Sequence, residues 1–234
     1  MRILNDIQND ASTVVSCWKL GRQITGGRWY ELFQAKPKTL SDDSDYDYLI
    51  KLINPQLTGD RKQRAIDRLG REALATETIM HNNVVRLLDA ELDRPEFFLV
   101  QPFIYGCSLD RLMTSARQMP LNRLLWVVRQ IAEGIHAGHL CGRVHLGLDP
   151  SHVLLGRTGR VKVAGWSQSH GIGERAWLPH DQVQLARYMA PECYQERYHA
   201  TIASDVYSMG ALIYHAVAGT VPFAGSVVKD VYQS

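Results

Sequence analysis

The chain has 234 residues, 45% of them hydrophobic and 21% charged, with a formal net charge of +2. That length suits one large domain or two small lobes with a real core, and the composition is ordinary for a soluble globular protein. So slight a positive balance excludes a general attraction to nucleic acid or to an anionic membrane surface.

The first ten residues, MRILNDIQND, lack the apolar region of a signal peptide, and residues 1–16 are read as an N-terminal extension. Residues 17–100 read as a strand-rich lobe. Trp18–Leu20 and Trp29–Ala35 predict a hairpin around Thr25-Gly26-Gly27, and the acidic run Ser41–Asp47 predicts a solvated loop. Tyr48–Ile53 predicts a strand stopped by Asn54-Pro55. Arg61–Met80 predicts a helix, with Ile66, Leu69, Ala73 and Ile79 near helical spacing. Val84–Leu88 and Phe97–Val100 read as two more strands. Residues 101–106 read as a hinge and 107–234 as a mainly helical lobe.

In that second lobe Leu121–Cys141 carries Leu124, Leu125, Val128, Ile131, Ile135 and Leu140 at helical spacing. Val153–Leu155 and Val161–Ala164 predict short strands about the turn Arg157–Arg160, and Asp205–Gly219 predicts a second apolar helix. The apolar stretch around Met209–Val217 is broken by polar residues and falls short of a bilayer span, so no membrane segment is expected. Cys17, Cys107, Cys141 and Cys193 share no C-x-x-C spacing. They read as buried free thiols of a cytoplasmic protein rather than a zinc site or a disulfide framework.

An ordered series of short motifs carries more information than these elements. Ile50-Lys51 ends a strand, Arg71-Glu72-Ala73 lies in the next helix, and His81-Asn82-Asn83-Val84-Val85 follows. Then come Val144–His152, Val161–Ser167, Tyr188-Met189-Ala190-Pro191-Glu192 and Ser204–Gly210. Over about residues 17–234 this order resembles the protein kinase superfamily, bacterial Ser/Thr kinases in particular. The resemblance implies an α+β, bilobal fold: a small antiparallel-sheet N-lobe with one helix, and a mainly helical C-lobe. Kinase domains normally continue with several helices beyond Gly219, so the fold is expected to be truncated at its C-terminal end and Glu192 to lack its usual arginine partner.

By that resemblance Lys51 is the strand lysine that pairs with phosphates and with a helix glutamate, here Glu72. Two readings stand side by side: a pair that still grips ATP, or one that fixes the helix to the sheet. Of the Gly-rich phosphate loop only Gly27 survives in Thr25–Leu32, with Thr25 and Tyr30 where glycines belong, so an ordinary hairpin turn is the stronger reading. Leu49 adds bulk to the adenine pocket. Leu32 and Leu154 remain apolar enough to sandwich a base, and Pro102 and Ile104 supply hinge backbone groups.

The family's catalytic loop, H-R-D-L-x-x-x-N, reads His145-Leu146-Gly147-Leu148-Asp149-Pro150-Ser151-His152. Gly147 replaces the aspartate that orients the substrate hydroxyl. Asp149 replaces the loop lysine, and His152 replaces the metal-binding asparagine. D-F-G reads Gly165-Trp166-Ser167, without the main metal carboxylate; magnesium prefers oxygen ligands and is not expected. Leu146 and Leu185 stand where an arginine and a threonine are usual, and Ser167–Arg187 holds no Thr or Tyr. Scaffold positions persist: His145 and Trp166 in an apolar spine, and Asp205 beneath the catalytic loop.

The pattern implies a pseudokinase, a regulatory module for a protein partner with weak ATP binding at most. The alternative is a Ser/Thr kinase using relocated groups, with Asp149 as base and His145 or His152 assisting. Against that stands Asp149 as a solvated loop carboxylate. A third reading is a non-functional remnant.

Overall fold

The structure, a computed structural model, describes residues 13–41, 43–94, 96–114, 119–176, 183–195, 197–223 and 225. Residues 1–12 of the expected extension, 177–182 of the Ser167–Arg187 segment, and 224 and 226–234 of the tail therefore lie outside the description. Two compact units are present, Met1–Ala73 with Arg86–Phe103 and Leu74–Val85 with Ile104–Ser234.

In the first unit β1 (Val14–Val15), β2 (Trp18–Gly26), β3 (Tyr30–Pro37), β4 (Tyr48–Ile53), β5 (Asp89–Glu91) and β6 (Phe98–Pro102) make one antiparallel sheet, ordered β1-β2-β3-β4-β6-β5. Successive side chains in a strand point to opposite faces. Ile50 and Leu52 accordingly join Trp18, Leu20, Phe33, Ala35, Phe98 and Val100 in one cluster. Ile53 faces the other way, with Leu99, onto Ala65, Leu69 and Ala73 of helix α1 (Gly59–Thr78).

β2 is longer than expected because its register with β3 shifts between Leu20 and Gln23 and again between Gln23 and Thr25. Such bulges break the alternation that marks a strand in sequence. The acidic run 41–47 is a loop as expected, but part of its backbone is a ligand: buried Lys36 donates from Nζ to the carbonyls of Ser41 (2.9 Å) and Ser44 (3.0 Å).

The expected strand Val84–Leu88 does not form. Val84 makes one parallel bridge to Val163, and Val85 N–H donates to the Val163 carbonyl, whereas Leu88 N–H donates to Val100. Its backbone groups are divided between two partners, so no continuous ladder arises until β5.

The second unit holds a three-stranded sheet, β10-β9-β7, from β7 (Gly106–Ser108), β9 (Val153–Gly156) and β10 (Val161–Val163). β8 (Arg143–Val144) pairs with β11 (His170–Gly171). The helices are α2 (Leu109–Met113), α3 (Leu121–Leu140), α4 (Val183–Ala186) and α5 (Ile202–Ala218). A core of Ile79, Val127, Ile131, Ile135, Leu148, Val163, Trp166 and Leu212, among others, joins α2, α3 and α5, while Leu185 of α4 packs with Val144 and Leu146 in a second cluster.

Along α3 the buried stripe is Leu124, Val127, Gln130, Ile131, Gly134, Ile135 and Gly138. Leu125 and Leu140, expected in it, are 60% and 75% exposed. The run Leu124-Leu125-Trp126-Val127-Val128 is apolar all round, so periodicity could not set its phase. Asn83 ties this helix to the sheet: its Nδ2 donates to Gln130 Oε1 (3.1 Å) and to the Val161 carbonyl (2.8 Å).

The thiols also differ from expectation. All four are free, but Cys17 and Cys141 are exposed and Cys107 is half-buried. Only Cys193 is buried, and burial pushes its thiol up to about 11. Among the described residues no helix is long and apolar enough to cross a membrane.

Two glycines make the packing testable. A Cβ on Gly134 would lie 2.7 Å from the Asn83 carbonyl oxygen, which accepts the Val163 N–H at 2.7 Å. Gly134→Ala is expected to cost about 1–3 kcal/mol in urea melts. At Gly70 nothing described lies within 4 Å of the added carbon. Gly70→Ala is therefore expected to stabilise by about 0.5–1 kcal/mol.

Candidate functional site

In the first unit Lys51 stands on β4 opposite Leu32 of β3 and Leu99 of β6. Its ammonium donates to Glu72 Oε2 of α1 at 2.6 Å; the Lys51 side chain is 14% exposed and that of Glu72 1%. The expected pair is thus formed. The Lys51 Nζ also lies 5.1 Å from the centroid of the Tyr30 ring, a contact the sequence did not suggest. Gly27 closes the β2–β3 turn, donating from its N–H to the Tyr30 carbonyl (2.9 Å) and accepting from Asn54 Nδ2 (3.0 Å). Its φ is not positive and a Cβ there would meet only the Tyr30 oxygen, at 3.4 Å, as in an ordinary hairpin.

The expected base-sandwiching and hinge residues are divided between the units. Leu32, half-buried, and Pro102, which ends β6 opposite Tyr48, belong to the first. Ile104 and Leu154 belong to the second, Leu154 on β9 between Ser108 and Lys162. Leu49 is half-buried on β4 between Gln34 and Gln101.

In the second unit the loop after β8 is held by Asp205, in the first turn of α5 and 0% exposed. Its carboxylate accepts the N–H of His145 (2.8 Å) and of Leu146 (2.9 Å), and His139 Nε2–H at 2.8 Å. Leu146 has φ +55, a left-handed conformation unfavourable for a residue with a branched side chain. An ionised carboxylate facing two adjacent N–H groups offsets that strain.

His145 is fully buried, its ring 4.5 Å from that of Trp166. It accepts the Gly147 N–H at Nδ1 (3.1 Å) and donates from Nε2 to the Ala164 carbonyl (3.0 Å), which assigns one neutral tautomer. Burial holds its pKa down to about 4, with Asp205 opposing.

The residues expected at degenerate catalytic positions, Gly147, Asp149, His152 and Gly165, lie together. Gly165 has φ +76, and a Cβ built on it would lie 2.2 Å from His152 Cδ2 and 2.5 Å from Nε2. The imidazole therefore occupies the space into which a side chain at 165 would extend. His152 is fixed there by donating from Nδ1 to the Gly147 carbonyl at 2.7 Å. A Cβ on Gly147 would meet the buried side chain of Gln168 at 3.1 Å.

Asp149 is turned to local work. Its Oδ1 accepts from Ser151 N–H (2.7 Å), Ser151 Oγ (2.6 Å) and His152 N–H (3.3 Å), capping the short 3₁₀ turn Pro150–His152. It is neither a freely solvated loop carboxylate nor in the place of Gly147. Leu185 is buried with Leu146 and Met189. Glu192, expected to lack its usual arginine partner, is half-buried and accepts from Ser204 Oγ at 3.0 Å.

Sequence reasoning missed His139, Gln168 and Tyr30. The first two carry no motif, and their roles arise from elements distant in sequence. Tyr30 was read only as an intruder in a glycine loop, although its two-residue spacing from Leu32 places it on the lysine's face of the sheet.

A sheet with one helix carrying a lysine–glutamate pair, and a helical unit whose buried aspartate holds a histidine-containing loop, together define a protein-kinase-like domain. The chain belongs to the protein kinase domain family, which it matches over residues 36–234. It is 30% identical over 192 residues to the serine/threonine-protein kinase PknL of Mycobacterium tuberculosis, covering 81% of this chain and 47% of that protein. To the serine/threonine-protein kinase PknA of Corynebacterium glutamicum it is 32% identical over 198 residues, 80% of this chain and 41% of the relative. CBL-interacting protein kinase 31 of Oryza sativa is 24% identical over 222 residues, 94% and 48% of the two chains. The chain thus spans about half the length, or less, of these curated relatives.

Two predictions follow from the loop. An unfolded histidine titrates near about 6.5, whereas folded His145 titrates at about 4. On acidification the unfolded state takes up the proton first, so stability is full above about pH 6.5 and falls toward pH 4. Urea midpoints from pH 7 to 4 should show this loss, about 3 kcal/mol from His145 alone, and His145→Gln should flatten that limb. Gly165→Asp alone should lower the melting temperature. In a His152→Asn background the loss should shrink, with a coupling of about 1–3 kcal/mol in the double-mutant cycle; strict additivity would mean that the ring is no obstacle.

Proposed function

We propose that this chain is a catalytically impaired kinase domain, a pseudokinase that acts as a regulatory or protein-interaction module and retains weak ATP binding through Lys51 and Glu72. The observation that carries this reading is the His152 ring in the space of a side chain at 165. Phosphoryl transfer needs a carboxylate to hold the metal and another to orient the attacking hydroxyl. At the corresponding positions this chain has Gly165 and Gly147. His152 directs its Nδ1–H to a backbone carbonyl, and magnesium takes oxygen ligands, so the donor set does not fit that ion. The partner is a protein; the small net charge gives no reason to invoke nucleic acid.

A second reading is an active Ser/Thr protein kinase with a non-standard residue set. It is favoured by the relatives, PknL and PknA among them, which are named as serine/threonine-protein kinases. Asp149 would then be the base, but its capping of the 3₁₀ turn counts against that role.

One assay separates the two. The protein is incubated with labelled ATP and magnesium, with itself and with a generic protein acceptor. No transferred phosphate is expected. Transfer that vanishes in Lys51→Ala would overturn the impaired reading, whereas transfer that survives it is contamination. In thermal-shift measurements ATP is expected to stabilise the protein slightly and equally with and without magnesium.

A further inference from the structure

Tyr30 and Lys51 are neighbours by sheet geometry. Leu32 lies opposite Lys51 and Tyr30 opposite Ile53, so Tyr30 is the diagonal neighbour of Lys51 on the face that meets α1. Its ring packs against the cluster of Ile53, Ala65, Leu69, Ala73 and Leu99. Its hydroxyl donates to the Ala65 carbonyl at 3.1 Å. Burial and the nearby Glu72 hold the phenol above its ordinary range, so it stays neutral and keeps donating.

The ammonium of Lys51 therefore meets a carboxylate at 2.6 Å and an aromatic ring at 5.1 Å, within cation–π range, and is mostly withdrawn from solvent. Glycine at this position, as in the family's loop pattern, would leave the second contact unmade.

We infer that Tyr30 is an internal occupant of the Lys51 anion site, and that a phosphate-bearing ligand must displace its ring to reach the ammonium. The inference rests on the proposed grip of Lys51 on ATP and deepens it: weak binding comes from competition by Tyr30 as well as from lost metal ligands. A triphosphate would have to replace both the cation–π contact and the hydroxyl's bond to α1.

The test titrates magnesium-free ATP into the full chain carrying Tyr30→Leu, Tyr30→Gly or Tyr30→Phe, alongside the unaltered protein. Leucine keeps apolar packing on α1 but removes the ring, so it carries the test should the glycine variant fail to fold. Tyr30→Leu and Tyr30→Gly are expected to bind about tenfold tighter, and Tyr30→Phe, which keeps the ring over the lysine, much less so. Adding Lys51→Ala to Tyr30→Leu should abolish the gain. A folded Tyr30→Leu that binds no tighter than the unaltered protein overturns the inference. If Lys51→Ala alone still weakens binding in that case, the lysine's grip stands and only the shielding fails. A gain that survives Lys51→Ala overturns both.

Discussion

The carboxylate of Asp205 holds the loop on which the arrangement of the second unit depends. A turn that places Leu146 at φ +55 does not persist unaided, and the N–H groups of His145 and Leu146 would otherwise be orphaned in a dry interior. Asp205 accepts both, and His139 as well, from the start of α5. With the turn held, His145 sits against Trp166 and reaches Ala164, the residue before Gly165. Gly147 then presents its carbonyl to His152.

From that anchor, Gly147, Asp149, His152 and Gly165 form one connected arrangement. His152 cannot occupy its place if Gly165 carries a side chain, and its imidazole is oriented by the carbonyl of Gly147. A side chain at 147 would press on Gln168, whose Cγ would lie 3.1 Å from the added Cβ. Asp149 stiffens the same turn by capping it. Close packing makes the residue types at 147, 152, 165 and 168 interdependent.

The first unit centres on one charged pair. Lys51 and Glu72 join strand to helix in a nearly dry setting, where loss of either would remove a charge-assisted hydrogen bond from the other. Tyr30 adds an aromatic face to the lysine and a hydrogen bond to α1. In each unit an aromatic ring packs against a residue that the sequence reading singled out: Tyr30 beside Lys51 and His152 beside Gly165.

Much of this was legible in the linear chain. The ordered motifs identified the family, β4 and the β9–β10 hairpin followed from alternation and turn residues, and the glycines at 147 and 165 are matters of residue identity. Periodicity failed where it carries no phase or is interrupted: in the uniformly apolar start of α3, through the bulges of β2, and at Val84–Leu88, whose backbone bonds go to separate partners. Residue type alone determined which chemical groups the chain possesses and which it lacks. Only the tertiary structure decided what lies against those groups, because a side chain's neighbours across the fold, such as His152 over Gly165 or Tyr30 beside Lys51, are set by packing and register rather than by local sequence.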